Sequence, residues 1–180
     1  MKRVLMVLAA VSVLLPASLW AQETPKAELF GGFSLLTNKS GTDPRITAPG
    51  WQAGISANVT QRFAVVGDFS GNYKNDTDCP SCKMHTFLGG VRVANRVEKA
   101  TVFGHALLGG SRFSASGGSD TNLTLGFGGG VDINTSDKMA IRIIQFDWLP
   151  TKFDNGTGGS DWEKNTLRFG FGVVFKSGSK

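Results

Sequence analysis

The chain has 180 residues, 41% hydrophobic and 18% charged, with a formal net charge of +5, a length that suits one domain. Its 24 glycines and sparse charge depart from an ordinary soluble domain, which carries about 25% charged residues and about 7% Gly. A mean hydropathy of −0.05 excludes a bundle of membrane helices, 13 Phe and four Trp exclude a disordered tail, and no basic stripe points to nucleic acid.

The N-terminus is read first. Met1-Lys2-Arg3 is a short basic segment, Val4 to Leu15 is apolar except for Ser12, and Pro16 ends the run. Ala17-Ser18-Leu19-Trp20-Ala21 then offers small residues for cleavage before Gln22. This order predicts a secretory signal peptide over residues 1–21, since the apolar run is too short to span a bilayer. No cysteine follows the run, so a lipid anchor is not expected. Loss of Lys2 and Arg3 would lower the net charge to +3. A linker at 22–26, a barrel over 27–176 and a tail at 177–180 complete the expected organisation.

From Leu29 onward the chain alternates with period two, the signature of half-buried strands. The first strand, Leu29 to Leu36, sets Leu29, Gly31, Phe33 and Leu35 against Glu28, Gly32 and Ser34. In the second, Trp51, Ala53, Ile55, Ala57 and Val59 alternate with Gln52, Gly54, Ser56 and Asn58. The third, Phe63 to Tyr73, sets Phe63, Val65, Phe69 and Tyr73 against Asp68, Ser70 and Asn72.

Two cysteines follow, in Asp78-Cys79-Pro80-Ser81-Cys82. An exported chain meets oxidising conditions, so a short disulfide between Cys79 and Cys82 is expected. A metal site adding Asp76, Asp78 and His85 is the alternative, but no second ligand pair occurs, and no metal or other cofactor is expected.

The fourth strand, Thr86 to Ala94, sets Phe87, Val91 and Val93 against Thr86, Gly90 and Arg92. The fifth, Thr101 to Ser111, is apolar on both faces and its parity is ambiguous; His105 is placed inward. The sixth alternates cleanly, Leu123, Leu125, Phe127, Val131 and Ile133 against a polar and glycine face with Asp132. The seventh, Met139 to Leu149, breaks step: Arg142 lies on one phase, Gln145 and Asp147 on the other. A β-bulge near Ile143-Ile144 would bring all three to one side. The eighth, Thr166 to Phe175, sets Leu167, Phe169, Phe171, Val173 and Phe175 against Arg168, Gly170 and Gly172.

Connectors alternate in length. Residues 37–48, 74–84, 113–121 and 151–162 are long, whereas 60–61, 95–99 and 135–138 are short, which is the habit of transmembrane β-barrels. The mid-strand charges share the face of the small residues, and the opposite face is Phe, Leu, Val and Ile. Asp68, Arg92, His105, Asp132, Arg142, Gln145, Asp147 and Arg168 are therefore expected to form a polar network inside an eight-stranded barrel, whose lumen is filled by side chains. Trp51, Phe63, Tyr73, Trp148, Trp162 and Phe175 lie near strand ends and are expected to form interfacial aromatic girdles. The fold class is all-β, an eight-stranded antiparallel transmembrane barrel behind a cleavable leader.

The chain at this point resembles the small OmpA/OmpX-type outer-membrane barrels of Gram-negative bacteria, over the leader and all eight strands. Arg168-Phe169-Gly170-Phe171-Gly172-Val173-Val174-Phe175 is similar to the family's assembly signal, carried by Arg168, Gly170, Val173 and Phe175. The family often ends on the aromatic residue, whereas Lys176 to Lys180 follow here. Gln145-Phe146-Asp147-Trp148-Leu149 is similar to the seventh strand of single-barrel members. The resemblance implies residence in the outer-membrane lipid and recognition of the last strand by the insertion machinery.

A non-catalytic barrel that acts structurally, or through its long loops on an unidentified surface ligand, is the leading expectation, with a monomer as its state. The alternatives are a narrow channel, and a soluble exported barrel holding an apolar ligand. A lipid-modifying enzyme would need a nucleophile motif around His85, where Ser81 and Asp78 are nearby in sequence, and none is present.

Overall fold

A computed structural model describes residues 24–39, 46–76, 79–115, 118–154 and 160–179, so the expected leader lies outside the described residues. Alternation converts directly into long antiparallel strands. They are β1 (Pro25–Asn38), β2 (Ile46–Asn58), β3 (Phe63–Asp76), β4 (Cys79–Arg96), β5 (Ala100–Ala115), β6 (Gly118–Ser136), β7 (Met139–Trp148), β8 (Thr151–Asp154), β9 (Ser160–Glu163) and β10 (Leu167–Ser179). Neighbours in sequence pair from β1 through β7, and β10 closes the ring between β7 and β1. The wall therefore has eight strands and no free edge, as a barrel requires.

Three expectations need correction. The long connectors at 74–84 and 113–121 are strand at all their described residues, and that at 37–48 is strand at both of its ends, because the hairpins β1–β2, β3–β4 and β5–β6 continue their pairing past the wall. The connector at 151–162 holds a hairpin, β8–β9, whose first strand pairs with β6 beyond the end of β7. Finally, β1 starts inside the expected linker and β10 runs into the expected tail, with Pro25 opposite Ser179.

Every wall strand sorts its residues by parity. Outward positions carry the exposed apolar side chains, among them Leu29, Ile55, Val65, Phe87, Leu108, Phe127, Ile141 and Phe171. Inward positions carry Gln52, Asp68, Ser70, Asn72, Thr86, Arg92, Asp132, Gln145, Asp147 and Arg168, all at most 4% exposed. Polar residues are thus inside and apolar ones outside, the reverse of a water-soluble barrel. The lumen is not purely polar, however. Leu36, Ala48, Leu88, Leu107 and Leu149 form one buried apolar cluster, and Phe30, Ala140 and Val174 another.

The bulge lies where the parity break places it. Val131 faces Ile144, but the next residue, Asp132, faces Arg142, and on the other side Gly170 faces Gln145 while Gly172 faces Arg142. Ile143 and Ile144 both point outward, at 55% and 48% exposure. The extra residue realigns Arg142 with Gln145 and Asp147 on the lumen side.

Candidate functional site: the lumen and the wall

Side chains reach across the lumen in two linked groups. Toward the loop end, Arg168 of β10 is fully buried and lies between two carboxylates. Its Nη1 is 2.7 Å from Asp68 Oδ1 and its Nη2 2.6 Å from Asp147 Oδ2, and Nη1 also donates to Ser70 Oγ at 3.0 Å. Gln52 donates to Asp68 at 2.7 Å. Asp147 also meets His105 Nε2 at 2.8 Å and accepts from Gln145 at 2.8 Å. Gln145 in turn accepts from Arg142 at 2.6 Å, and Arg142 grips Asp132 through two bonds of 2.7 and 3.1 Å. The Arg142 guanidinium lies 4.2 Å from the Phe30 ring centre and 4.4 Å from that of Phe103, a cation–π arrangement that suits a desolvated arginine.

Toward the turn end, Arg92 pairs with Glu28, and Arg96 Nη2 lies 2.8 Å from the other Glu28 oxygen. Asn58 accepts from Arg96 at 2.8 Å and donates to Glu28 at 3.2 Å. Glu28, Arg96 and Gln52 were not among the expected network residues. Glu28 and Gln52 were assigned to the inner face, so their burial was legible. Their partners were not, since those depend on strand stagger. Four carboxylates (Glu28, Asp68, Asp132, Asp147) thus balance four guanidiniums (Arg92, Arg96, Arg142, Arg168). Buried charges are tolerated on such pairing.

Room for this network comes from glycine. A Cβ on Gly128 would collide with the Asp147 carboxylate and the Phe146 carbonyl. Between the networks lies a cavity of about 20 Å³, bordered by Glu28, Asp68, Arg92, His105, Arg142 and Gln145, about the size of one water molecule. Past Arg168, the leucine cluster draws on β1, β2, β4, β5 and the residue after β7. Strands β1 and β5 stand opposite each other in the ring, so these leucines meet across the lumen and form an apolar septum.

The wall carries the aromatic residues. Trp51, Phe63, Tyr73, Trp148 and Phe175 all face outward. Trp51 Nε1 donates to the Tyr73 hydroxyl at 3.2 Å, and that hydroxyl lies 3.2 Å from His85 Nε2. Gly71 makes this rung feasible, because a Cβ there would sit 2.7 Å from the indole nitrogen and 2.9 Å from the tyrosine oxygen. Trp148 donates to the Lys164 carbonyl at 2.6 Å. Trp162 lies elsewhere, on β9 opposite Lys152 and outside the eight wall strands. Aromatics also continue through the middle of the wall, as Phe33–Phe171, Phe69–Phe87 and Phe146–Phe169 pairs with centres 5.3 to 6.0 Å apart.

Among the assembly-signal residues, Arg168 and Gly170 face the lumen and Val173 and Phe175 face outward. Cys82 is disulfide-bonded, and β3 pairs Lys74 with Cys82 and Asp76 with Cys79. Asp78 lies outside the described residues. Among the described residues no group of His, Cys, Asp and Glu could hold a metal ion.

No family model matches the sequence, and no curated protein does. Solved structures do match. The attachment invasion locus protein Ail of Yersinia pestis is 14% identical over 84% of this chain and 97% of its own, with a TM-score of 0.53. Neisserial surface protein A is 10% identical over 84% and 97%, with a TM-score of 0.60. The N-terminal barrel domain of Pseudomonas aeruginosa OprF is 12% identical over 86% and 98%, with a TM-score of 0.56. The fold is that of the small OmpA/OmpX-type outer-membrane β-barrels. Each match covers nearly all of the neighbour, so the likeness extends to the whole wall.

Proposed function

We propose that this chain is an integral outer-membrane barrel without catalytic activity, a rigid closed scaffold that presents its extended hairpins at the cell surface. One observation carries the reading: the inversion of the wall. Outward positions between Leu29 and Leu35, Trp51 and Val59, Phe63 and Tyr73, Phe87 and Val93, Val102 and Leu108, Leu123 and Ile133, Met139 and Trp148, and Leu167 and Phe175 hold no Asp, Glu, Lys or Arg, and the outward Lys83 and Arg112 lie beyond them at the loop-side strand ends. A basic residue facing hydrocarbon at the midplane would cost about 2–4 kcal/mol, and a closed barrel leaves no backbone group unpaired there. A soluble ligand-binding barrel would need the opposite sorting.

The leucine septum and the charge pairs beneath it favour a scaffold over a channel. The hairpins β1–β2, β3–β4, β5–β6 and β8–β9 would be the contact surface for an unidentified ligand, since function on rigid scaffolds concentrates in loops. The expected leader and the β10 segment Arg168–Phe175 fit export followed by capture of the last strand by the insertion machinery, and the monomer is the working state.

The test is refolding of the full chain from urea with and without detergent micelles, read by circular dichroism and by gel mobility before and after boiling. A β-signal and a heat-dependent shift only with detergent are expected, and then no conductance steps in a planar bilayer. A monodisperse β-protein in plain buffer would overturn the membrane reading, and steady conductance would overturn the closed scaffold.

A further inference from the structure

The interior charges cancel, and the loop-side segments carry as many acidic as basic residues. The excess positive charge therefore gathers at the opposite end, around the tight turns and the chain ends. There Lys26 opens β1, Arg62 sits in the β2–β3 turn, Lys99 in the β4–β5 turn and Lys138 in the β6–β7 turn. All four are exposed, and among the described residues none is in an ion pair. Glu98 and Asp137 are the described carboxylates exposed on this rim.

The rim holds these cations in place. Asn134 binds the β4–β5 turn, with its side chain donating to the Val97 and Glu98 carbonyls at 3.3 and 3.0 Å and its backbone N–H to the Lys99 carbonyl at 2.9 Å. The same side chain accepts from Lys176 Nζ at 2.6 Å, while the Lys176 N–H donates to the Lys138 carbonyl at 2.8 Å. Arg96 ties down the β2–β3 turn through the Gln61 carbonyl at 2.7 Å. At the first strand, the Lys26 stem runs beside Gly178, whose φ of +68° turns the chain end.

Position identifies the partner. Three of the four adjoin the exposed apolar wall: Phe63 follows Arg62, Met139 follows Lys138, and Val97 stands two residues before Lys99, at 55%, 40% and 42% exposure. Cations at the edge of an apolar band extend their charged ends into the headgroup layer. They are spread around the ring at four separate strand ends rather than gathered in one pocket, which suits a surrounding layer and not a single docked protein. We propose that the turn rim is a binding surface for the phosphate headgroups of anionic phospholipid, in the leaflet that meets this end of the barrel. The proposal rests on the membrane reading above.

The experiment inserts the full chain into phosphatidylcholine vesicles carrying trace spin-labelled phosphatidylglycerol or spin-labelled phosphatidylcholine, and reads the protein-bound fraction of each by electron spin resonance. The native chain should hold phosphatidylglycerol about fivefold more strongly, roughly the gain from one surface cation, and 0.5 M salt, at about a 4 Å screening length, should erase most of that preference. Lys26→Gln, Arg62→Gln, Lys99→Gln and Lys138→Gln together should abolish it with the heat-dependent gel shift intact. Glu98→Gln with Asp137→Asn should strengthen it, and this second variant decides the matter if the quadruple one does not fold. Lys74→Gln, Lys83→Gln, Arg112→Gln and Lys152→Gln, on the loop side, should leave it unchanged. An inserted native chain without preference, a preference surviving the rim substitutions, or one lost only with the loop-side set overturns the proposal alone. A chain that inserts in no bilayer refutes the membrane reading and this proposal with it.

Discussion

Replacing Arg168 with methionine removes the guanidinium that Asp68 and Asp147 share, leaving two carboxylates that are 4% and 1% exposed. Breaking a buried pair costs about 3–5 kcal/mol. The two losses do not simply double, because Asp147 retains His105 and Gln145, and Asp68 retains Gln52. The expected loss is therefore near the top of that range, about 5 kcal/mol. With a urea slope of about 2 kcal/mol per M, the midpoint should fall by roughly 2.5 M. The assay is reversible urea unfolding in phosphatidylcholine vesicles, followed by tryptophan fluorescence. Adding Asp68→Asn and Asp147→Asn to Arg168→Met removes the orphaned charges and should restore most of the loss. A single-variant loss below about 1 kcal/mol, the value of an exposed pair, would mean that water reaches these carboxylates and that the lumen is not the dry, paired interior described above.

Three further outcomes follow from the geometry. Arg142→Ala removes a two-point pair with Asp132, a bond to Gln145 and contacts with two rings, so the same unfolding assay should report a loss of about 3–5 kcal/mol. Deleting Ile143 should be tolerated, because it removes the bulge while Arg142, Gln145 and Asp147 stay on one face; deleting Phe146 puts Gln145 and Asp147 on opposite faces and should abolish the heat-dependent gel shift. Leu107→Ala opens a cavity in the septum and should cost about 2–5 kcal/mol in the urea assay.

Most of the wall was legible because a strand exposed to lipid on one side and filled on the other must alternate. The bulge was legible for the same reason, since Arg142 and Asp147 cannot share a face without it. His105 was harder, because both faces of the middle of β5 are apolar and no other polar side chain lies between Thr101 and Ser111; it points into the lumen, against Asp147. Less could be read of partners. The pairing of Glu28 with Arg92 and Arg96 depends on the stagger between strands, which no local pattern records. The septum leucines were hidden because Leu36, Leu88 and Leu107 look like wall residues until strand parity is fixed. The β8–β9 hairpin was hidden by glycines that read as loop, and this moved Trp162 off the wall.

The ion pairs of the lumen also bear on how the barrel assembles. Glu28 finds Arg92 three strands away, and Arg168 on the last strand finds Asp68 on the third. An open sheet that lacked β10 would hold Asp68 and Asp147 without their shared cation, and one that lacked β1 would leave Arg92 and Arg96 without Glu28. Every partial ring therefore carries uncompensated charge that hydrocarbon will not accept. Closure becomes all-or-none: the final strand neutralises the interior at the same moment that it removes the last free edge, so half-built rings should be kept out of the bilayer by their own charge.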